Sequence, residues 1–471
     1  MKKTFSITIL LCSLCLCCGV VYSQSTYDAA LFSTPNLGIG ARSLGMGTAY
    51  TGVASDFSAM FTNPAGLGQI RLNEVSFGLS NYSYNNSSTY LTNPSSFSNS
   101  ATNINNFNFV YPFPTTRGSM VFAVGYGRNS DFTTALSLQG FNSANSIIPH
   151  LDVEGDPNLA PALYLLDSTG YTPFTKNLEQ QGKVLESGGT NNWTVAGAIE
   201  AANNLFLGLS LNFVAGSYNY TRNFTETDTK NYYTSPPYPD TLALYIFNLQ
   251  NTISDDIGGF SARFGLLYKF NPKGRLGISV KTPTWYSITE TFTDDGTRNL
   301  GLVDRYGNSM YTYHGTFNST YDITTPYVFS AGLSYMINDL LLSGDVEYTD
   351  WTQMSFSNAD PAILQYNTDI KDIFRPTTNF RVGGEYEIPT TGLRIRAGYA
   401  YLPSPYQNDI SGADKKYITG GLGFIVENSV AFDVGYANGK WNTSHIQYDG
   451  SPVTSESITT NTLIGTILYR F

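Results

Sequence analysis

Charge is scarce in this 471-residue chain, where Asp, Glu, Lys and Arg together make up 13%, against roughly 25% in ordinary soluble domains. Basic residues are the scarcer sign, 26 against 36 acidic ones, which excludes the basic footprint expected of a nucleic-acid binder. The four cysteines, Cys12, Cys15, Cys17 and Cys18, all fall in one short N-terminal run. The rest of the chain therefore offers no disulfide and no thiolate metal site. None of the four follows the small residue that lipid attachment requires. The three histidines, His150, His314 and His445, are scattered through expected loops without ligand-like neighbours. No cofactor, metal site or catalytic grouping is expected, and the chain does not read as an enzyme. Beyond residue 23 no stretch of about 18 apolar residues exists, which excludes transmembrane helices by length.

What is present begins with Lys2 and Lys3, followed by an apolar run from Phe5 to Val21 and the segment Val21-Tyr22-Ser23. This is the pattern of an export signal, residues 1–23, cleaved before Gln24. Aromatic residues reach 14%, with 34 Tyr, 29 Phe and 4 Trp. Low charge with abundant aromatics suits a lipid-facing surface between aromatic girdles. A membrane protein without spanning helices must be a closed barrel, because lipid offers no partner to an unpaired backbone group.

Period-two alternation supports this. In "LFLGLSLNF" (205–213), Leu205, Leu207, Leu209, Leu211 and Phe213 share one face, and "WTVAGAIEA" (193–201) alternates likewise across an Asn203-Asn204 turn. The same unit recurs with turns at 271–274, 338–339, 389–392 and 427–428. The pattern predicts fourteen strands starting near residues 71, 103, 118, 192, 205, 257, 274, 325, 340, 374, 392, 414, 429 and 461. Short turns alternate with long polar loops, near 129–191, 225–256 and 289–324 among others. That asymmetry and an even strand number are those of bacterial outer-membrane barrels. The expected fold is all-β, a 14-stranded antiparallel transmembrane barrel occupying residues 71–471, and the last strand closes on Phe471 with Tyr469, Ile467 and Leu463 on its face.

With apolar positions turned to lipid, the opposite register collects Arg263, Lys281, Asp345, Glu347, Arg381, Glu385, Glu387, Arg394, Arg396 and Asp433. Mixed signs on neighbouring strands favour a lumenal ion-pair ladder, since buried charge requires partners, over a direct role in guiding an anionic ligand.

One block does not alternate. "SDFSAMFTNPAGLG" (55–68) reads as a short helical turn, Ser55 to Phe61, stopped at Asn63-Pro64 and released through Gly66 and Gly68. Together with "GARSLGMGTAY" (40–50) it resembles the N-terminal hatch of the FadL/TodX family of outer-membrane transport channels. "SGDVEYTDW" (343–351), "FRVGGEYEI" (380–388), "LRIRAGYAYLPSPY" (393–406) and "YITGGLGFIVENSVAFDVGYANG" (417–439) resemble that family's C-terminal strands in order. The resemblance implies a hatch, residues 24–70, inside the lumen, with a gating role for Asn63, Pro64, Ala65 and Gly66. It implies that Phe57, Met60 and Phe61 contact either ligand or wall, and that the third strand bends to give a lateral opening. Gly125 and Gly127 are candidates for that bend; they would also make room for a plug.

The function implied is passive uptake of hydrophobic molecules, long-chain fatty acids or aromatic hydrocarbons, by a monomer in the outer membrane of a Gram-negative bacterium. Its partners would be the ligand, outer-membrane lipid and lipopolysaccharide, and the barrel-insertion machinery, with no nucleic acid. The alternative is a docking or shuttle barrel of a secretion pathway resembling PorV. Two motifs fail: "GIGARSLG" has Ser43 where a dinucleotide loop needs glycine, and the calcium-loop echo Asp152, Glu154, Asp156 has Pro157 in the glycine position.

Overall fold

A computed structural model of the chain describes residues 25–151, 156–167, 169–234, 243–427 and 429–471. The export signal, Asp152 and Glu154 of the calcium echo, and Asn428 of one expected turn lie outside the described residues. The alternating segments form a closed 14-strand antiparallel barrel. In order they are β1 (Glu74–Tyr90), β2 (Asn93–Phe113), β3 (Met120–Asp131, resumed at Thr134–Asn142), β4 (Leu178–Ala202), β5 (Leu205–Thr227) and β6 (Ile246–Lys269). Then follow β7 (Gly274–Lys281, resumed at Trp285–Asn299), β8 (Met310–Thr324, resumed at Val328–Ile337) and β9 (Leu340–Asp350, resumed at Ser355–Ser357). The last five are β10 (Pro376–Glu387), β11 (Leu393–Leu402), β12 (Lys415–Val426), β13 (Val430–His445) and β14 (Thr454–Arg470). β14 returns to β1 in the register Glu74↔Arg470 to Thr89↔Ser455 and closes the cylinder. Closure satisfies the ladder that an open sheet would leave unpaired in lipid.

The outward register carries the apolar side chains. Leu207, Leu209 and Phe213 on β5 are exposed, as are Trp193, Val195 and Ile199 on β4 and Ile467, Tyr469 and Phe471 at the C-terminus. Aromatics mark both margins of this band: Trp193, Phe213, Trp285, Tyr348 and Tyr436 on one side, Phe113, Tyr268, Tyr335, Tyr386 and Phe471 on the other. Two rows of amphipathic rings are what the two interfaces of a bilayer select.

Several strands are longer than the alternation predicts. β2, β4, β6 and β8 begin at Asn93, Leu178, Ile246 and Met310, well before the expected starts near 103, 192, 257 and 325. Much of the expected loops near 129–191, 225–256 and 289–324 is therefore strand. The reason is that these halves stand beyond the bilayer. On β5 the outward positions above Phe213 are Ser217, Asn219, Thr221, Asn223 and Thr225, and without an apolar face the two-residue period vanishes. At about 3.3 Å per residue such strands far exceed an apolar band of about 25 Å, even when tilted.

The first described residues form α1 (Thr26–Ser33), α2 (Ala41–Gly45), α3 (Ala59–Thr62) and a 3-10 helix, Pro64–Gln69. The helical turn expected at Ser55 to Phe61 is thus shorter and later, and Gly66 and Gly68 lie within the 3-10 helix rather than in a release loop. Asn63 separates the two helices because its side-chain Oδ1 accepts from the Ala65 N–H at 3.2 Å, the bond of an N-cap, with proline following at the first helical position.

Candidate functional site

Residues 39–70 are buried almost throughout, and their neighbours are wall strands on all sides, so this segment fills the cylinder at the height of the apolar band. The fit depends on absent side chains. A Cβ on Gly208 of β5 would lie 2.3 Å from the Ala65 nitrogen, on Gly277 of β7 2.0 Å from the Thr51 oxygen, and on Gly383 of β10 2.1 Å from the Met46 oxygen. One on Gly398 of β11 would lie 2.3 Å from the Gly47 nitrogen, and on Gly435 of β13 2.3 Å from the Ala41 oxygen. Wall glycines thus let the plug's backbone lie directly on the wall's backbone, a use of glycine in strands that alternation alone does not reveal.

Charge then anchors the plug. Arg42 of α2 donates through Nε and Nη2 to both carboxylate oxygens of Glu385, at 2.8 and 2.7 Å. Arg396 Nε reaches the same Glu385 at 2.6 Å and its Nη1 reaches Asp433 at 2.6 Å. A bidentate pair of this kind is short and directional. Burial alone would lower the Arg42 pKa, and Glu385 beside it turns the shift upward. Asp345 accepts from the Thr51 N–H at 2.7 Å, Arg381 pairs with Glu347 at 2.8 Å, and Arg263 donates to the Thr62 carbonyl at 3.2 Å. Lys281 stands opposite Arg263 in the ladder. Arg394 and Glu387 pair at 2.7 Å with Glu387 exposed, outside the buried network that holds the plug.

Asn63 is central to the plug: its Nδ2 donates to the Thr51 carbonyl at 2.9 Å and to the Leu266 carbonyl of β6 at 3.0 Å. Pro64, Ala65 and Gly66 are buried beside it. Phe57 and Met60 lie in an apolar cluster with Ala65, Leu67, Val110, Val121 and Phe206, against which Phe61 packs. All three therefore meet the wall. Sequence reasoning missed Arg42 and the glycine collar; the glycines recurring at two-residue spacing, as in "GGLGF", were the available signal.

β3 runs unbroken through Gly125 and Gly127, which face Met60, Phe61 and Ile39 of the plug. Its interruption is at Phe132 and Thr133, and its register to β4 shifts between Arg128 and Ser130, both beyond the two glycines. Below it, β3 pairs with β2 from Asn106↔Gly127 to Phe113↔Met120. Above it, β3 pairs with β4 alone, while Asn86 and Ser88 of β1 donate to its Ala135 and Ser137 carbonyls from inside. Among the described residues, the upper half of β2 thus keeps β1 as a neighbour and has no strand paired on its other edge. A cavity of about 400 Å³ opens there, lined by Asn99, Asn103, Arg128, Gly188, Gly189 and Ser217 among others. It begins just above Ile104, the last exposed apolar side chain of β2. The plug is bonded to this point: Asn36 donates its N–H to the Asn129 carbonyl at 2.8 Å and accepts from the Asp131 N–H at 3.0 Å, and Ser130 Oγ donates to the Thr34 carbonyl at 3.2 Å.

On the lumen side of the break the surroundings are apolar. Phe132 meets Phe32 of α1 edge-on at 5.5 Å, within a cluster that includes Tyr218, Tyr286, Tyr321, Trp351 and Phe374. The helix Pro361–Ile373 closes it with Ile363 and Ile370.

The barrel has counterparts among known proteins. The sequence pattern of the family described as "Outer membrane protein transport protein (OMPP1/FadL/TodX)" matches residues 188–466, more than half of the chain. The chain belongs to the OMPP1/FadL/TodX family. A relative of this family member, the 47 kDa outer membrane protein of Pasteurella multocida (strain Pm70), is 23% identical over 216 residues, 44% of this chain and 49% of its own length. The chain's match thus spans about half of that relative. Among solved structures, the toluene transporter TodX of P. putida matches over 92% of this chain and 99% of its own, with TM-score 0.53 and 13% identity. A Pseudomonas aeruginosa FadL homologue matches over 94% and 99% (TM-score 0.55, 14% identity), and the toluene transporter TbuX of Ralstonia pickettii over 93% and 99% (0.52, 17%). At such identities the likeness is one of fold.

Proposed function

We propose that this FadL/TodX-family protein is an outer-membrane channel through which hydrophobic molecules, long-chain fatty acids or aromatic hydrocarbons, cross passively. The ligand enters the apolar compartment around Phe132, Tyr218 and Tyr286, and the N-terminal plug controls its onward path. The observation that carries this reading is the bonding of the plug, through Thr34 and Asn36, to the one point where β3 leaves β2 unpaired. A shift of the plug and a change at the wall opening are thereby one event. Phe471 and the closed ladder support insertion by the barrel machinery as a monomer among outer-membrane lipid and lipopolysaccharide, after cleavage before Gln24.

The mature chain has no cysteine, so a pair introduced as Asn36→Cys with Ser130→Cys tests the reading directly. Wild-type protein should restore uptake of a labelled hydrophobic compound to cells lacking it, whereas the oxidised pair should block uptake and reductant should release it. Mass spectrometry of protein purified in non-ionic detergent then identifies the bound molecule. If no hydrophobic compound co-purifies and deletion leaves uptake unchanged, the proposal fails.

A further inference from the structure

The outer compartment is apolar but not neutral. Tyr218, Asp255 and Glu290 are direct cross-strand neighbours on β5, β6 and β7, all buried on the lumenal face. Tyr321 of β8 donates its hydroxyl to Glu290 Oε2 at 3.2 Å. Asp28 of α1 is held within electrostatic reach of Glu290, and among the described residues its Oδ2 accepts from Ser25 at its own helix terminus. Aromatic rings surround the group: Phe32, Phe132, Tyr218, Tyr286 and Tyr321 belong to one cluster.

Two features separate this arrangement from the ladder below it. Asp255 is 2% exposed, and its Oδ1 has no hydrogen-bond partner, a costly condition for a buried oxygen. Among the described residues, no ion pair includes Asp28 or Asp255. Basic side chains of these strands and of β13 are engaged elsewhere. Arg222 donates to Asn251 and the Gln447 carbonyl, and Arg263 to Thr62 and Ser279. His445 is bonded to Glu456.

Burial, and then the crowding of like groups, keep a carboxyl such as Asp28 protonated until a counter-ion arrives; an ammonium among aromatic faces is that counter-ion for Asp28 and Asp255, and its binding releases a proton. A ligand carboxylate finds no basic partner there, and shedding its water without one is costly. We infer that the outer compartment selects hydrophobic ligands by head charge, taking an amine-bearing aromatic molecule best, a neutral one next and a carboxylate least. The ammonium sits at Asp255 Oδ1, with the ligand's ring where the Phe32 ring now stands between Phe132, Tyr218 and Tyr286. The inference rests on the channel reading and narrows its substrate class.

The test uses three probes on one skeleton, 4-phenylbutylamine, 4-phenylbutanol and 4-phenylbutyrate, titrated by calorimetry into the full chain in non-ionic detergent at neutral pH. The amine should bind at least about 10-fold more tightly than the carboxylate, with the alcohol between. Asp255→Asn should bring the amine towards the alcohol, and Asp255→Glu should retain the order; native mobility on unheated gels reports folding of both. Alcohol binding with the carboxylate equal to or tighter than the amine overturns the inference and leaves the channel standing. Binding of none of the three overturns both.

Discussion

Gly398→Ala is the sharpest test of how the plug is seated. The added Cβ would lie 2.3 Å from the Gly47 nitrogen and 2.4 Å from the Met46 carbonyl carbon, where ordinary contact begins at 3.4 Å. The plug must therefore retreat by about 1 Å at this point. Its neighbours there are backbone, and they have little room: Met46 already lies against Gly383 on the adjoining strand, and Thr419 Oγ1 donates to the Gly45 carbonyl at 3.1 Å. Overpacking of this kind costs about 1–3 kcal/mol, borne by the seating of the plug because the closest atoms are all the plug's and none the wall's. Amide exchange over residues 41–54, read by mass spectrometry, should accelerate by about 5- to 150-fold, while the barrel keeps its heat-modifiable mobility. Gly465→Ala is the control, since nothing lies within 4 Å of its Cβ. If exchange in 41–54 of the Gly398→Ala protein stays within about 2-fold of wild type, the close seating of the plug is wrong.

Arg42→Met leaves Glu385 with Arg396 alone, and breaking a buried pair costs about 3–5 kcal/mol; limited proteolysis should cut the plug faster while the barrel persists. Asn63→Ala removes two donated bonds and the cap on the 3-10 helix, a loss of about 1–3 kcal/mol, visible as faster exchange at Ala65 and Gly66. Burial, and then Glu290, push the Asp28 carboxyl from 3.8 up to about 8, so a seated α1 holds a proton that a free one releases. Seating is then complete below about pH 4 and weakens as pH rises through about 8; exchange of residues 26–33 across that range should show it, and Asp28→Asn should flatten the profile.

The legible part of the fold was its bilayer half. Leu207, Leu209 and Phe213, or Val195 and Ile199, alternate because lipid and lumen impose opposite demands on successive residues, and the strand number follows from counting such runs. The outer halves were illegible for the same reason reversed. Ser217, Asn219 and Thr221 face water as Tyr218 and Tyr220 do not, but serine and asparagine also mark loops, so polarity there does not distinguish strand from turn. In the site, Asn63 and Pro64 were visible as helix punctuation. Gly383 and Gly398 were not visible as seats, since a glycine in a strand signals a close approach without naming what approaches. Gly125 and Gly127 show the limit: they make room for Met60 and Phe61, and the break is at Phe132.

From the sequence alone came the apolar face and the strand number, because each is a local pattern repeated along the chain. The pairing of Arg42 with Glu385, the tie between Asn36 and the broken strand, and the gathering of Asp28, Asp255 and Glu290 arise only when the cylinder closes. Closure brings distant residues within a few ångströms and strips them of water, and at those distances a carboxylate's neighbours, rather than its place in the chain, settle what it does.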